Sequence, residues 1–331
     1  MSPTPRAGIF AMRRLTRLTQ LALLTVGGAT IFCPSSALAA DGEPPQDSSG
    51  AGAAFFISRD NEGFSTQRVA AEYLPAFRHG DALTGGRYTV HHFEQDDWAR
   101  TAQQLTILHR NVDPATTNGW QLEAGLSRQG EHTLFTADGS YHAALAAQTS
   151  VEAFINRDWV ETRNALDRGV HFTFVGAVLE QGLGPHLTVV GVAGYQDFSD
   201  GNHRNHGRIK LIVQPDLSLG LTLQARYRMY TSASDDVGGA YFNPDRYDEA
   251  MLALGWRQRF RGWVGNLTAG LGQQRVGDAP HTPTRLLELG AQAPIGRGYA
   301  FRMRAGLNRS ASFNGPDYSY HYAQAEWIVA F

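Results

Sequence analysis

The sequence is short of cysteine and of long apolar runs, and each shortage excludes a class of protein. Its single cysteine, Cys33, lies near the N-terminus. The rest of the chain therefore offers no disulfide, no thiol nucleophile and no cysteine ligand for a metal. After residue 39, no window holds about eighteen consecutive apolar residues, so no helix is expected to span a membrane.

Charged residues are also scarce, and neither sign dominates. Asp, Glu, Lys and Arg make up 18% of the chain, and the formal net charge is -2. A nucleic-acid-binding protein needs a basic surface, so no nucleic-acid partner is expected. A high glycine and aromatic content with few charges is typical of a β-rich protein of the cell envelope.

The N-terminal segment has the features of a secretory signal. Basic residues precede an apolar run from 21 to 32, and Ala37-Leu38-Ala39 supplies the small residues of a cleavage site. A polar segment rich in Pro and Ser follows. The predicted division is a signal peptide at 1–39, a flexible periplasmic lead at 40–50 and an outer-membrane barrel at 51–331.

The last residues, 319–331, alternate between two sets of side chains. One set is wholly apolar and ends in Phe331, whereas the other contains Glu326, Gln324 and Tyr322. A strand with lipid on one side and a wetter medium on the other has this pattern. The pattern resembles the C-terminal strand of bacterial outer-membrane β-barrels, although Glu326 stands where such strands often have glycine.

Similar strand-like segments follow one another from about residue 51. In one of them Leu223 and Tyr227 share an apolar face, and Arg226 and Arg228 lie on the other. Because these segments are long enough to cross a bilayer at a tilt, the sequence predicts an all-β fold, a transmembrane antiparallel up-and-down β-barrel of about sixteen strands. The predicted strands are 52–60, 66–77, 86–95, 100–111, 118–128, 131–145, 149–159, 169–180, 185–197, 205–215, 219–231, 246–260, 263–275, 284–295, 298–311 and 319–331.

The connections in the C-terminal half alternate in predicted length, as they do between the two rims of outer-membrane barrels. Short turns are expected at 215–218, 261–262 and 296–298, and longer loops at 199–205, 232–245, 277–283 and 312–318. Pro75 lies inside the second strand and cannot donate to a ladder, so a bulge or a strand end is expected there. Residues 161–168 are helix-like, and either a surface loop or the lumen could hold them.

Two stretches resemble a known family. Residues 195–204 (YQDFSDGNHR) and 238–256 (GGAYFNPDRYDEAMLALGW) are similar to the C-terminal barrel of exopolysaccharide-export porins, including the poly-N-acetylglucosamine porin, cellulose-export barrels and YaiO-like barrels. The D-G-N and Y-F-N-P segments carry the likeness. It implies a sixteen-stranded barrel that exports polysaccharide. The best-known members also carry a periplasmic helical-repeat domain, which this sequence does not show. A separate periplasmic helical-repeat protein is therefore an expected partner.

Charged side chains are expected to face inward if the outward faces are apolar. A basic wall could bind or guide an anionic or hydroxyl-rich chain. Alternatively, the arginines could pair with Glu72, Glu123 and other carboxylates, so that the lumen is plugged. The predicted lumen residues are Arg208, Lys210, Arg226, Arg228, Glu249, Arg257, Arg259, Glu288, Arg302 and Arg304.

Aromatic residues cluster near the loops of one rim. Tyr241 and Phe242 are candidates for stacking on sugar rings as a chain leaves the pore. The cluster also contains Tyr247, Tyr318, Tyr320 and Tyr322, and for its outward-facing members a girdle at the membrane interface is the favoured interpretation.

Together these features predict an outer-membrane porin for passive polysaccharide export, as in secretion of a biofilm matrix. The expected partners are outer-membrane lipid, the polysaccharide chain and the barrel-insertion machinery. No catalytic residue, metal or cofactor is predicted, since no G-x-S-x-G motif is present and no helix follows the two G-L-G segments. The alternatives are a structural or assembly barrel with a plugged lumen, and a lipid- or sugar-modifying enzyme built on Ser127, His142 and Glu123.

Overall fold

The computed structural model describes residues 48–234, 236–294, 298–310 and 318–331. Within them, sixteen antiparallel strands close into a single barrel, which confirms the predicted fold. The strands are β1 (Ser48–Asp60), β2 (Ser65–His79), β3 (Ala82–Gln95), β4 (Trp98–Val112), β5 (Gly119–Gln129), β6 (His132–Ala146), β7 (Thr149–Trp159), β8 (His171–Gly182), β9 (Leu187–Phe198), β10 (His203–Val213), β11 (Leu221–Ser232), β12 (Arg246–Phe260), β13 (Trp263–Val276), β14 (Thr282–Gln292), β15 (Tyr299–Arg309) and β16 (Ser319–Ala330). One short helix, α1 (Arg163–Arg168), lies between β7 and β8.

Each strand pairs with its neighbours in the chain, and β1 pairs with β16 to close the ring. In this seam Ala53 lies opposite Trp327. The amide of Phe331 donates to the carbonyl of Ser49 at 2.8 Å. Closure leaves no free edge among the sixteen described strands, which is the condition for burying a sheet in lipid.

The outer face of the barrel is apolar. Leu252 and Leu271 are 71% and 69% exposed, and other large apolar side chains surround them at alternate positions of every strand. Soluble monomers rarely expose so continuous an apolar surface, whereas a barrel in lipid requires one. Within the described residues, no helix has the length and apolar character needed to cross a membrane.

The predicted irregularity at Pro75 is confirmed. The register between β2 and β3 shifts between Tyr73 and Ala76, because proline cannot donate to the ladder. The strand continues beyond the bulge to His79. At the N-terminal side β1 begins at Ser48, so the last residues of the expected flexible lead belong to the barrel.

The two rims differ less regularly than the sequence predicts. We call the rim that carries both ends of the described barrel the terminal rim, and the other the far rim. The far rim holds the long connections 160–170 and 233–245. However, the far-rim connection 199–202 is shorter than the terminal-rim connection 214–220, so the predicted lengths of these two are wrong. His203 pairs with Asp197 and extends the ladder beyond the expected start of β10.

Candidate functional site in the lumen

A network of ion pairs centred on Arg87 and Arg110 fills one side of the lumen. Arg87 contacts Glu123 at 2.6 Å, Glu72 at 2.6 Å and Glu326 at 3.1 Å. Arg110 donates from its two terminal nitrogens to both oxygens of Glu326, at 2.9 and 3.1 Å. Such two-pronged pairs are among the stronger hydrogen bonds in proteins. We call this set the Arg87–Arg110 network.

The network explains why a carboxylate stands at position 326. Glu326 is 7% exposed and accepts from both arginines, one on β3 and one on β4. A glycine there would leave two buried guanidinium groups short of an acceptor, which is costly. Beside it, Arg302 of β15 pairs with Asp81 in the turn between β2 and β3.

A cavity of about 120 Å³ adjoins the network. Its wall is mixed, since Phe56 and Ala70 lie beside the amides of Gln104, Asn156 and Gln324. Charged groups of both signs complete the lining: Arg68, Arg87, Arg157, Glu123, Asp138, Asp158 and Glu326. The cavity therefore presents hydrogen-bonding groups and an aromatic ring together, as small-molecule sites do.

The structure places all ten predicted lumen residues at inward-facing strand positions. Glu249, Glu288 and Arg302 are buried there, whereas Arg259 is exposed close to the terminal rim. Arg228 forms an ion pair with Glu249. Among the described residues, Glu72 pairs with Arg87, and Glu123 pairs with Arg87 and Arg110, rather than with the predicted basic wall. Arg87 and Arg110 carry the same alternation signal, although neither is among the ten predicted lumen residues.

Tyr320 and Tyr322 of β16, and Tyr318 just before it, face the lumen, so they form no outward girdle at the membrane interface. Tyr318, Tyr320 and Tyr322 occupy successive inward positions, with ring centroids 5.5 and 5.8 Å apart. The row continues to Phe56 on β1, 6.4 Å from Tyr322. The hydroxyl of Tyr322 donates to Glu288 at 3.1 Å. We call these four rings the tyrosine ladder. Tyr247 is also buried on the inward side, where it stacks on a tyrosine of β11.

At the far rim, residues 160–170 and 236–245 meet over the mouth of the barrel, and we call them the cover. Thr162 donates to the carbonyl of Ala240 at 2.6 Å, and Asn164 donates to that of Gly239 at 2.9 Å. Thr162 also caps α1 by accepting from an amide of its first turn. Leu166 of the helix is 0% exposed. The helix-like segment thus lies across the mouth with its apolar side inward.

The two segments that carry the family resemblance touch each other at the cover. Asn202 of the D-G-N loop donates to the hydroxyl of Tyr241 at 3.1 Å and to Asn243 at 2.8 Å. The ring of Tyr241 stacks on Phe198 with centroids 4.6 Å apart. Burial raises the pKa of Tyr241. Tyr241 is thus part of the packing under the mouth and presents no free face to a sugar, while Phe242 is partly buried against a neighbouring aromatic cluster.

Glu161 connects the cover to strand β2. It is 2% exposed, forms an ion pair with Arg68 of β2 and lies 3.5 Å from the hydroxyl of Thr66. Burial raises the pKa of Glu161 to about 7. The nearby carboxylate of Asp158 also raises this pKa, whereas the Arg68 guanidinium lowers it. The cover therefore contains a carboxyl group that titrates near neutral pH.

The described residues do not assemble the catalytic combination considered from the sequence. The ladder of β5 and β6 puts Ser127 opposite Leu134, whereas His142 lies opposite Gly119. Eight residues of strand, roughly 26 Å, separate these levels. Ser127 accepts from the indole of Trp159 at 3.0 Å. Among the described residues, no group of three or more His, Cys, Asp or Glu side chains could hold a metal ion.

Comparisons with known proteins identify the fold. A solved structure described as a bacterial polysaccharide outer membrane secretin aligns over 87% of this chain and 100% of its own, with a TM-score of 0.62 and 13% identity. The chain has an outer-membrane β-barrel fold. OccAB3 of Acinetobacter baumannii covers 86% of this chain and 99% of its own at 10% identity, but its TM-score of 0.42 is too low to support an argument. No protein-family model and no curated protein matches the sequence.

Proposed function

We propose that this protein is a conduit in the outer membrane of a Gram-negative bacterium, through which a secreted polysaccharide leaves the cell. The tyrosine ladder is the observation that carries the proposal. A sugar chain offers ring faces and hydroxyl groups, and the ladder provides aromatic rings beside carboxylate and amide partners along the direction of transport. A barrel of sixteen strands is wide enough to hold an aqueous path.

The long connections of the far rim support the proposed orientation. The terminal rim faces the periplasm, and the cover lies outside. The chain is exported by its signal peptide and inserted by the barrel-assembly machinery, and transport is passive, without catalysis. A separate periplasmic helical-repeat protein delivers the polymer. The fold shared with a structure described as a polysaccharide secretin supports this reading as a likeness of architecture.

Current through planar bilayers tests the proposal, measured in the Leu166→Ala background so that the cover is open. Cellohexaose or chitohexaose, added on the terminal-rim side, should block the current transiently as each molecule enters the lumen. Tyr322→Ala should shorten these blocks, because it removes one ring of the ladder. Tyr141→Ala is the matched control, since Tyr141 is 57% exposed on the outer face. Blocks of equal duration in both variants would contradict a role for the ladder.

The Arg87–Arg110 network favours a second candidate function, a structural barrel whose lumen is plugged. The two interpretations differ once the cover is loosened. A conduit should conduct ions when the cover opens, as we expect in Leu166→Ala. If the folded variant inserts into bilayers and still carries no current, the plugged barrel is the better account.

A further inference from the structure

Strands β10 and β11 bring like charges face to face in the lumen. Their register sets Arg208 opposite Arg228 and Lys210 opposite Arg226. All four side chains lie at inward positions, one pair above the other. Directly opposed like charges destabilise a sheet. We call this set the cationic ladder.

Neighbouring acceptors compensate the four charges unequally. Arg228 pairs with Glu249 and donates to the hydroxyl of Tyr247 at 2.8 Å. Arg226 donates to Gln224 at 2.6 Å. Arg208 has neither a hydrogen-bond partner nor an ion-pair partner among the residues that the structure describes. On the side of β9 its cross-strand neighbour is Val192, which has no acceptor to offer.

A cavity of about 60 Å³ lies between the cationic ladder and an apolar wall. Val190, Val192 and Met251 form the apolar side. The cationic side chains form the other side together with Glu249, whose charge Arg228 compensates. A sugar ring with a carboxylate matches both sides, because its carbon face can pack on the valines while its oxygens accept from the guanidinium forks.

We infer that the cationic ladder binds the carboxylates of an acidic polysaccharide, a chain that contains uronic acid residues. Proteins keep arrangements that oppose folding chiefly where function needs them. Here the unfavourable arrangement is a double row of opposed cations next to open space. The inference rests on the proposed function, since it names the class of chain that the conduit carries.

Equilibrium binding in detergent tests the inference without requiring ion conduction. Hexagalacturonate should bind the purified protein more tightly than maltohexaose, a neutral chain of equal length. Arg208→Gln should weaken hexagalacturonate binding about tenfold and leave maltohexaose binding unchanged. Arg246→Gln removes the same charge from an exposed position near the far rim and should change neither affinity. Equal affinities for the two sugars, or an unchanged affinity in Arg208→Gln, would overturn the inference.

Thermal unfolding separates a binding role from a structural one. Because Arg208 faces Arg228 and has no described acceptor, Arg208→Gln should raise the unfolding temperature. A lower unfolding temperature would show that Arg208 supports the fold and would count against the inference. The proposed function can fail separately. Selective binding of hexagalacturonate by a barrel that never conducts would refute the conduit but retain the site. A conducting barrel that binds both sugars equally would retain the conduit but refute the proposed site.

Discussion

Replacing Leu166 with alanine should loosen the cover and leave the barrel folded. Leu166 is 0% exposed and packs in one cluster with Phe64, Phe93 and Trp159, so it ties α1 to the strands of the wall. Truncation of a buried leucine costs about 2–5 kcal/mol. The strands keep their ladders in either state, so the loss falls on closure of the cover. A loss of about 3 kcal/mol raises the open fraction about a hundredfold.

Hydrogen exchange measured on peptides that span 160–170 reports this opening directly. The amide of Leu166 donates to Thr162, and that of Val170 donates to Ala165, both at 2.9 Å. These bonds protect the amides only while the segment keeps its folded conformation. In Leu166→Ala, exchange in this segment should be about a hundredfold faster, whereas peptides from β1 to β16 should exchange as in the parent protein.

Leu105→Ala is the matched control, because it removes the same atoms from a side chain that is 64% exposed on the outer face. It should not change exchange in the cover. Unchanged exchange at 160–170 in Leu166→Ala would refute the conclusion that this contact holds the mouth closed. A similar rise throughout the strands would instead show that Leu166 stabilises the whole barrel.

Three further predictions concern single polar side chains. Glu161 has a pKa of about 7 in the closed cover, against 4.5 for the ordinary group. Closure is therefore favoured most below about pH 4.5 and weakens as the pH rises to about 7, by up to about 3 kcal/mol. Hydrogen exchange at 160–170, corrected for its intrinsic pH dependence, should become faster as the pH rises through this range. The rise should be absent in Glu161→Gln. Glu326→Gln should lower the free energy of unfolding, measured in urea, by about 3–5 kcal/mol. Glu94→Gln, at an exposed site, should leave it unchanged. Asn202→Ala should speed exchange in 236–245, and an unchanged rate there would contradict the role of the D-G-N loop.

The barrel could be predicted from the sequence because a strand alternates strictly. Each residue of a pleated strand points opposite to its neighbour. Lipid on one side and water on the other therefore produce alternating apolar and polar residues in the sequence. The same rule places Tyr322 correctly. It shares its parity with Glu326 and Gln324, in the set that the alternation assigns to the wetter face, whereas the general preference of tyrosine for membrane interfaces favours a girdle that these rings do not form.

The partners across the lumen could not be predicted in this way. Alternation states which face a side chain occupies, but it does not state its height in the barrel or what lies opposite. Arg87 and Glu326 are far apart in the chain and meet only because β16 returns beside β1. Similarly, α1 is visible as a helix-like stretch, whereas its place depends on contacts with 236–245 that leave no periodic signal.

The position of the Arg87–Arg110 network has a consequence for assembly. Every other pair of neighbouring strands is consecutive in the chain, whereas the β1–β16 junction joins the first strand to the last. Forming this junction therefore has the largest entropic cost of loop closure. Glu326 reaches β3 and β4 only after that junction has formed. The network thus forms late in folding, and it stabilises the closed ring against reopening at the β1–β16 junction.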